Sequence, residues 1–150
     1  MIEINFKIIK WNYKEVEIVK ISTKGRYALR VMIDIAVNSN GEYVSVKDIA
    51  DRQEISKKYL EQIMAMLSKA KFIETTRGNI GGYKLTKQPR EYKIGDILRA
   101  TEGNLTPLDC LIDDNSCNRK ENCKTHSFWA GLDNVINRYI DSKTLEDLIK

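Results

Sequence analysis

At 150 residues and 17.3 kDa, with 42% apolar and 31% charged side chains, the chain suits one hydrophobic core and is not a disordered tail. No run approaches the roughly 18 apolar residues of a membrane-spanning helix, and acids at Glu3, Glu15 and Glu17 interrupt the start, so neither membrane insertion nor a signal peptide is expected. The net charge of +4 is uneven: residues 1–19 are neutral, 20–99 carry +7 and 100–150 carry −3, so the middle of the chain is the part suited to a polyanion.

Ile2, Ile4, Phe6 and Ile8 alternate with polar residues and predict one short strand. Ser22 or Thr23 can cap a helix running to about Asn38, with Tyr27, Val31 and Ile35 beside Leu29, Ile33 and Ala36 as its apolar face. Asn40-Gly41 marks a turn. Ser45 and Asp48 resemble a capping box opening a short helix with Val46, Ile49 and Ala50 inward. After a tight connection at Glu54-Ile55, Ser56 caps a longer helix from Lys57 to about Ala70. Two such helices in succession form a helix-turn-helix layout. Strands come next at 72–76 and 83–86, joined by Arg77-Gly78-Asn79-Ile80-Gly81-Gly82, whose glycines exclude helix. A hairpin placed directly after the second helix is a wing. Helix is expected again from Ile94 to Thr101, then an irregular loop over 105–122. A long helix from Thr125 to about Ile140 and a last short helix capped by Ser142 complete the chain.

On the helix over 57–70, Leu60, Ile63, Met64 and Leu67 face the core, which leaves Lys57, Lys58, Glu61, Gln62 and Ala65 on the opposite side. Gln62 is suited to adenine and Glu61 to cytosine N4, while the two lysines suit phosphates. Arg77, flanked by Gly78 on a narrow wing, can enter a minor groove. Candidate DNA contacts are therefore Ser22, Lys24, Arg26, Ser45, Ser56, Lys57, Lys58, Tyr59, Glu61, Gln62, Arg77 and Gly78. The helix over 125–140 carries more apolar width than a lone winged-helix domain needs. Phe128, Trp129, Leu132, Val135, Ile136 and Tyr139 predict burial against a second copy, and a twofold homodimer reads a palindromic operator.

All three cysteines and the one histidine fall within 17 residues, as Cys110-x6-Cys117-x5-Cys123 with His126 three residues on. Polar neighbours (Asp113, Asp114, Asn115, Asn118 and Asn122) argue against core packing. In a reducing cytoplasm a structural disulfide is not expected. Three thiolates and an imidazole make four ligands for a [2Fe–2S] cluster. The same set suits zinc as Cys3His, although close Cys-x2–4-Cys knuckles are missing, and a cluster-free thiol sensor stays open. Cluster ligation would order residues 105–125 and change the angle between two DNA-reading domains.

These residues resemble a known family. Ile21-Ser22-Thr23-Lys24-Gly25-Arg26-Tyr27-Ala28-Leu29-Arg30 is similar to the opening signature of the Rrf2 family of bacterial transcription regulators. Ile55-Ser56-Lys57-Lys58-Tyr59-Leu60-Glu61-Gln62-Ile63 resembles its recognition helix, Arg77-Gly78-x-x-Gly81-Gly82-Tyr83-Lys84-Leu85 its wing, and Gly95-Asp96-Ile97 the helix after it. The likeness covers about residues 20–149. It implies a homodimeric winged helix-turn-helix regulator. The cysteines resemble those of the family's iron–sulfur cluster regulator branch, which implies Cys110, Cys117, Cys123 and His126 as [2Fe–2S] ligands, with a first gap of six residues where that branch has five. The nitric-oxide-sensing branch takes an aspartate where Arg26 stands here. The cysteine-metabolism repressors generally lack the trio.

The expected architecture is mostly α: an extension over 1–19 ahead of the family's usual start (either genuine or an upstream start, with Val19 as initiator), a winged helix-turn-helix domain over 20–102, a cysteine-containing sensor loop over 103–124, and a dimerisation helix with a short terminal helix over 125–150. Two other classes fit less well. An enzyme would need Cys123 and His126 as nucleophile and base, but the chain has no glycine-rich phosphate cradle after a strand and no paired acids on an ordered face. A cluster or zinc protein that binds only other proteins fits poorly with the basic 20–99 segment.

Overall fold

The computed structural model describes residues 21–150 apart from Arg77, Asn79, Ile80, Asp114 and Asn115. The strand expected near Ile2–Ile8 and the 1–19 extension lie outside the described residues. Helix α1 (Thr23–Asn38) begins where Ser22 accepts a hydrogen bond from the Lys24 backbone N–H, the usual service of an N-cap hydroxyl. Its helical period buries Ala28, Val31, Met32 and Ile35. Helix α2 (Val46–Gln53) is capped by Ser45 through the Asp48 N–H and ends at Glu54, whose left-handed backbone (φ 55°) turns the chain sharply. Ile55 is buried inside that turn. Helix α3 (Lys57–Lys69), capped by Ser56, buries Leu60, Ile63, Met64 and Leu67.

The wing is an antiparallel pair, β1 (Ile73–Thr76) and β2 (Gly82–Leu85), with Ile73 opposite Leu85 and Thr76 opposite Gly82. Val44, just ahead of α2, adds a contact that periodicity does not announce. Its N–H and C=O exchange hydrogen bonds with Tyr83 at 2.9 and 2.8 Å. Gly82 permits this approach, because a Cβ there would lie 2.6 Å from the Val44 carbonyl oxygen. Buried Tyr92 fastens the base of the wing: its hydroxyl donates to the Phe72 carbonyl (2.9 Å) and accepts from the Lys87 N–H (2.7 Å).

Helix α4 (Ile94–Glu102) is amphipathic and buries Ile94, Ile97, Leu98 and Thr101 against the core. The stretch after it is largely irregular, as expected, with short 3-10 turns at Asp109–Leu111 and Lys120–Asn122. Helix α5 (His126–Asp141) and helix α6 (Leu145–Ile149) close the fold. The cap of α6 differs from expectation. Thr144, not Ser142, fills it, exchanging hydrogen bonds with Asp147 in a capping box, while the Ser142 hydroxyl donates back to Tyr139 at the end of α5. Thr144 has an acid three residues on, which Ser142 lacks. Arg99 on α4 clamps α5 by reaching both carboxylate oxygens of Asp141 (2.8 and 2.9 Å) and the Asn137 side-chain oxygen (2.9 Å). No described helix is long and apolar enough to cross a membrane.

One polar cluster lies inside this apolar frame. Asp34 on α1 is 3% exposed. It accepts two hydrogen bonds from Arg52 (2.6 and 3.0 Å) and one from the Gln53 amide (2.8 Å), both at the end of α2. Arg30 completes the tie by donating to the Gln53 side-chain and backbone oxygens. Removing Arg52 strands a buried carboxylate, whereas removing Asp34 leaves a guanidinium that is already 38% exposed and can turn to water. Arg52→Ala is expected to cost about 3–5 kcal/mol, Asp34→Ala clearly less, and the double variant little more than Asp34→Ala alone. Urea unfolding of the three variants checks this, and equal losses for the two single variants would contradict it.

Candidate functional site

The polar face of α3 lies open. Lys57, Lys58, Glu61, Gln62 and Ala65 are all exposed, while the opposite stripe is sealed in the core. Tyr59 does a different job from its neighbours. Its half-buried ring meets Tyr27 edge-on at 5.7 Å, and the Arg30 guanidinium lies 5.2 Å from the Tyr27 centroid, so this aromatic pair seats α3 on α1. Gly78 sits at the wing tip with φ 115°; Arg77 beside it lies outside the described residues. Lys24 and Arg26 are exposed on the first turn of α1.

The three candidate serines are all helix caps, and their hydroxyls are differently occupied. Ser45 and Ser56 accept from their own helices, and each retains an O–H that can donate to a phosphate. The Ser22 hydroxyl also accepts from its helix, but it donates to Glu102 at 2.8 Å. Glu102 was no sequence candidate, nor was Lys84, which donates to the Gly41 carbonyl at 2.7 Å. Lone charges whose partners lie about 40 or 80 residues away leave no periodic trace.

In the sequence-predicted sensor loop, Cys110, Cys117 and Cys123 are free and half-buried. Cys123 caps the 3-10 turn at Lys120–Asn122, and its Sγ lies 3.4 Å from the Thr125 hydroxyl. That hydroxyl, helped by the Thr125 and His126 backbone N–H groups, holds the Cys123 thiol below its ordinary pKa and favours thiolate. His126 opens α5 with its Nε2 buried and without a hydrogen-bond partner among the described residues. Asp133 Oδ1, two turns along α5, is in the same position. A buried ring nitrogen without a partner is unusual and fits a ligand atom. Three soft thiols and this imidazole therefore suit a thiophilic metal centre by donor chemistry. Among the described residues, no three His, Cys, Asp or Glu side chains gather where one ion could sit, so ligation requires the cysteines to draw together.

The apolar set on α5 divides in two. Phe128 (64% exposed), Leu132 (37%), Val135 (62%) and Tyr139 (64%) face outward, while Trp129 and Ile136 are half-buried. Outward residues spaced four, three and four apart make one continuous helical stripe. Large apolar side chains at such exposure form the kind of patch that marks an interaction surface.

Comparison with known proteins agrees with this anatomy. The sequence model of the Rrf2 family, described as an iron-dependent transcriptional regulator, matches residues 21–150. Protein rrf2 of Nitratidesulfovibrio vulgaris is 37% identical over 131 residues, covering 87% of each chain. Among solved structures, CymR (YrzC), the global cysteine regulator of B. subtilis, superposes with a TM-score of 0.73 at 35% identity, covering 87% of this chain and 95% of that one. IscR of T. potens superposes with a TM-score of 0.70 at 38% identity, covering 87% and 85%. With a mostly helical fold, a winged helix-turn-helix and a family match over all the described residues, this chain belongs to the Rrf2 family of transcriptional regulators.

Proposed function

We propose that the chain is a homodimeric, sequence-specific DNA-binding regulator that reports iron–sulfur status through a [2Fe–2S] cluster held by Cys110, Cys117, Cys123 and His126. The observation that carries the DNA half is the open face of α3 beside the wing, with the apolar stripe behind it buried in the core. In that arrangement Gln62 and Glu61 read base edges in the major groove. Lys57, Lys58 and the hydroxyls of Ser45 and Ser56 hold the phosphates, with Lys24 and Arg26 extending the basic rim. The outward α5 stripe pairs with its own copy, which presents two α3 helices to the half-sites of a palindrome roughly one helical turn apart. When bound, a cluster supplies a group whose assembly depends on iron and sulfide supply. The loop residues contribute the thiols, and the start of α5 contributes the unpartnered His126 Nε2.

One observation favours a second reading. The Cys123 thiol is biased toward thiolate by Thr125 without any metal, and a structural neighbour is a global cysteine regulator. On that reading the chain is a cluster-free, thiol-responsive or cysteine-metabolism repressor with the same DNA face.

Gln62→Ala or Glu61→Ala should weaken operator binding by about 1–3 kcal/mol and leave random-duplex binding nearly unchanged, while Lys58→Ala should weaken both alike and lower the salt slope by about one. Fluorescence anisotropy across a salt series reads all three; equal losses on both duplexes for Gln62→Ala and Glu61→Ala would remove α3 from base reading. Val135→Glu places a charge in the outward stripe at a site with no core contacts, and sedimentation should show a folded monomer where the parent is a dimer. A variant that stays dimeric would move the interface elsewhere. Anaerobic purification with iron and acid-labile sulfide assays separates the two sensing readings. About two irons and two sulfides per chain, lost on Cys→Ala substitution, support the cluster, and a colourless protein that cannot be reconstituted supports the thiol reading.

A further inference from the structure

Helix α1 has a basic first turn, with Lys24 exposed, and no acid of its own there, which is unfavourable against the positive end of a helix dipole. The missing negative charge comes from the far end of the domain. Glu102, the last residue of α4, places Oε1 2.8 Å from the Ser22 hydroxyl and 2.6 Å from the Gly25 backbone nitrogen, and both donate to it. Ser22 in turn accepts from the Lys24 N–H at 3.1 Å. One carboxylate oxygen thus organises the whole N-terminal turn that carries Lys24 and Arg26. The seat is built for it: Gly25 is buried, and a Cβ there would lie 2.5 Å from Oε1 and 3.2 Å from the Glu102 Cγ.

Glu102 is also where α4 ends, three residues before Leu105 buries itself in the core. Gly103 comes next with φ 81°, its N–H makes the closing helical bond to the Arg99 carbonyl, and the chain then leaves as the loop that reaches Cys110 eight residues after Glu102. One turn back along α4, Arg99 grips Asp141 and Asn137 of α5. The last turn of α4 therefore touches the cysteine loop by covalent continuity, α5 by an ion pair and the DNA-facing start of α1 by Glu102.

We propose that Glu102 is a positioning residue that transmits the state of the cysteine loop to the first turn of α1, seating or releasing the Lys24 and Arg26 contacts to DNA phosphates. The inference rests on the DNA-regulator reading above and specifies how its loop acts. Drawing the cysteines together pulls on residues 106–110, and buried Leu105 passes that pull to the last turn of α4, withdrawing or securing the carboxylate in its glycine seat. That turn is held from one side by Arg99 and lies against buried Leu105 on the other.

The test uses the full-length protein and a duplex selected from a random pool by the parent. Affinity is measured in two loop states: reconstituted with ferrous iron and sulfide against chelator-treated and reduced, or, if no cluster forms, reduced against iodoacetamide-alkylated. The parent should show about a tenfold or larger ratio between states. Glu102→Ala should bring the ratio near one, and Glu102→Gln, which keeps an accepting oxygen but loses the charge, should restore only part of it. Gly25→Ala should abolish the ratio by expelling the carboxylate. Its melting-temperature loss should be clearly larger in the parent than in Glu102→Ala, where only the Ile21 methyl, 3.1 Å from the added Cβ, is left to give way. A parent ratio of one overturns loop sensing itself and the coupling with it. A full ratio retained in folded Glu102→Ala, or Gly25→Ala lowering the melting temperature equally in both backgrounds, overturns the coupling alone.

Discussion

The orientation of α3 traces back to one buried carboxylate. Apolar packing between α1 and α2, through buried Ile49 and Ala50, is non-directional. Asp34 supplies the direction. A charge at 3% exposure must be fully hydrogen-bonded, and its donors, Arg52 and Gln53, occupy the last positions of α2. Arg30 then holds Gln53 from the other side. The end of α2 is thus pinned at its side chains and, through the Gln53 carbonyl, at its backbone. The next residue, Glu54, makes the left-handed turn into α3. The direction of α3 and the aim of Gln62 and Glu61 are set by the geometry of a few directional bonds.

Two of the helix-capping serines also stand on the face proposed to meet DNA. Ser45 and Ser56 stop the chain from fraying where α2 and α3 begin, and those helix starts are where amide groups and dipole favour phosphate oxygens. On the proposed reading, cap and phosphate donor share one side chain, and a hydroxyl that accepts from its own helix has its oxygen fixed before DNA arrives. Ser22 is built alike but has its proton directed inward to Glu102. The first turn of α1 therefore presents its two basic side chains outward, while its Gly25 amide donates to the protein's own acid.

How much of this was legible in the sequence depends on whether the signal was local. The 3.6-residue stripe on α3 and the stripe of Phe128, Leu132, Val135 and Tyr139 are periodic, so their faces could be assigned before any coordinates. The caps of α1, α2 and α3 and the glycine-rich hairpin were readable for the same reason, whereas at α6 Ser142 and Thr144 compete and only the acid three residues after Thr144 decides. Asp34 was not: a single acid between Ile33 and Ile35 reads as a solvent-facing break in an apolar helix, and its partners lie 18 and 19 residues away. Glu102 escaped similarly. Gly25, at the third position of a helix where glycine weakens the backbone, was the one visible hint that something else had to come close. In the cysteine loop the residue types were informative and the geometry was not, because irregular backbone carries no period from which to place three thiols.

The size of the Glu102 contact suits a switch. A charge at a partly buried helix terminus is worth up to about 2 kcal/mol, and a tenfold change in affinity needs about 1.4 kcal/mol. One such contact, made in one loop state and loosened in the other, covers a regulatory response. It is also small against the roughly 5–15 kcal/mol that hold a domain folded, so it can be made and broken without loosening the core that Met32, Leu60, Ile97 and Leu145 fill. A signal routed through the Asp34 cluster would lack that margin, since those bonds hold the helix-turn-helix itself together. The fold keeps the two polar devices at opposite ends of α1: Asp34 toward its last turns fixes the shape, and Glu102 at its first turn is free to act on the outcome.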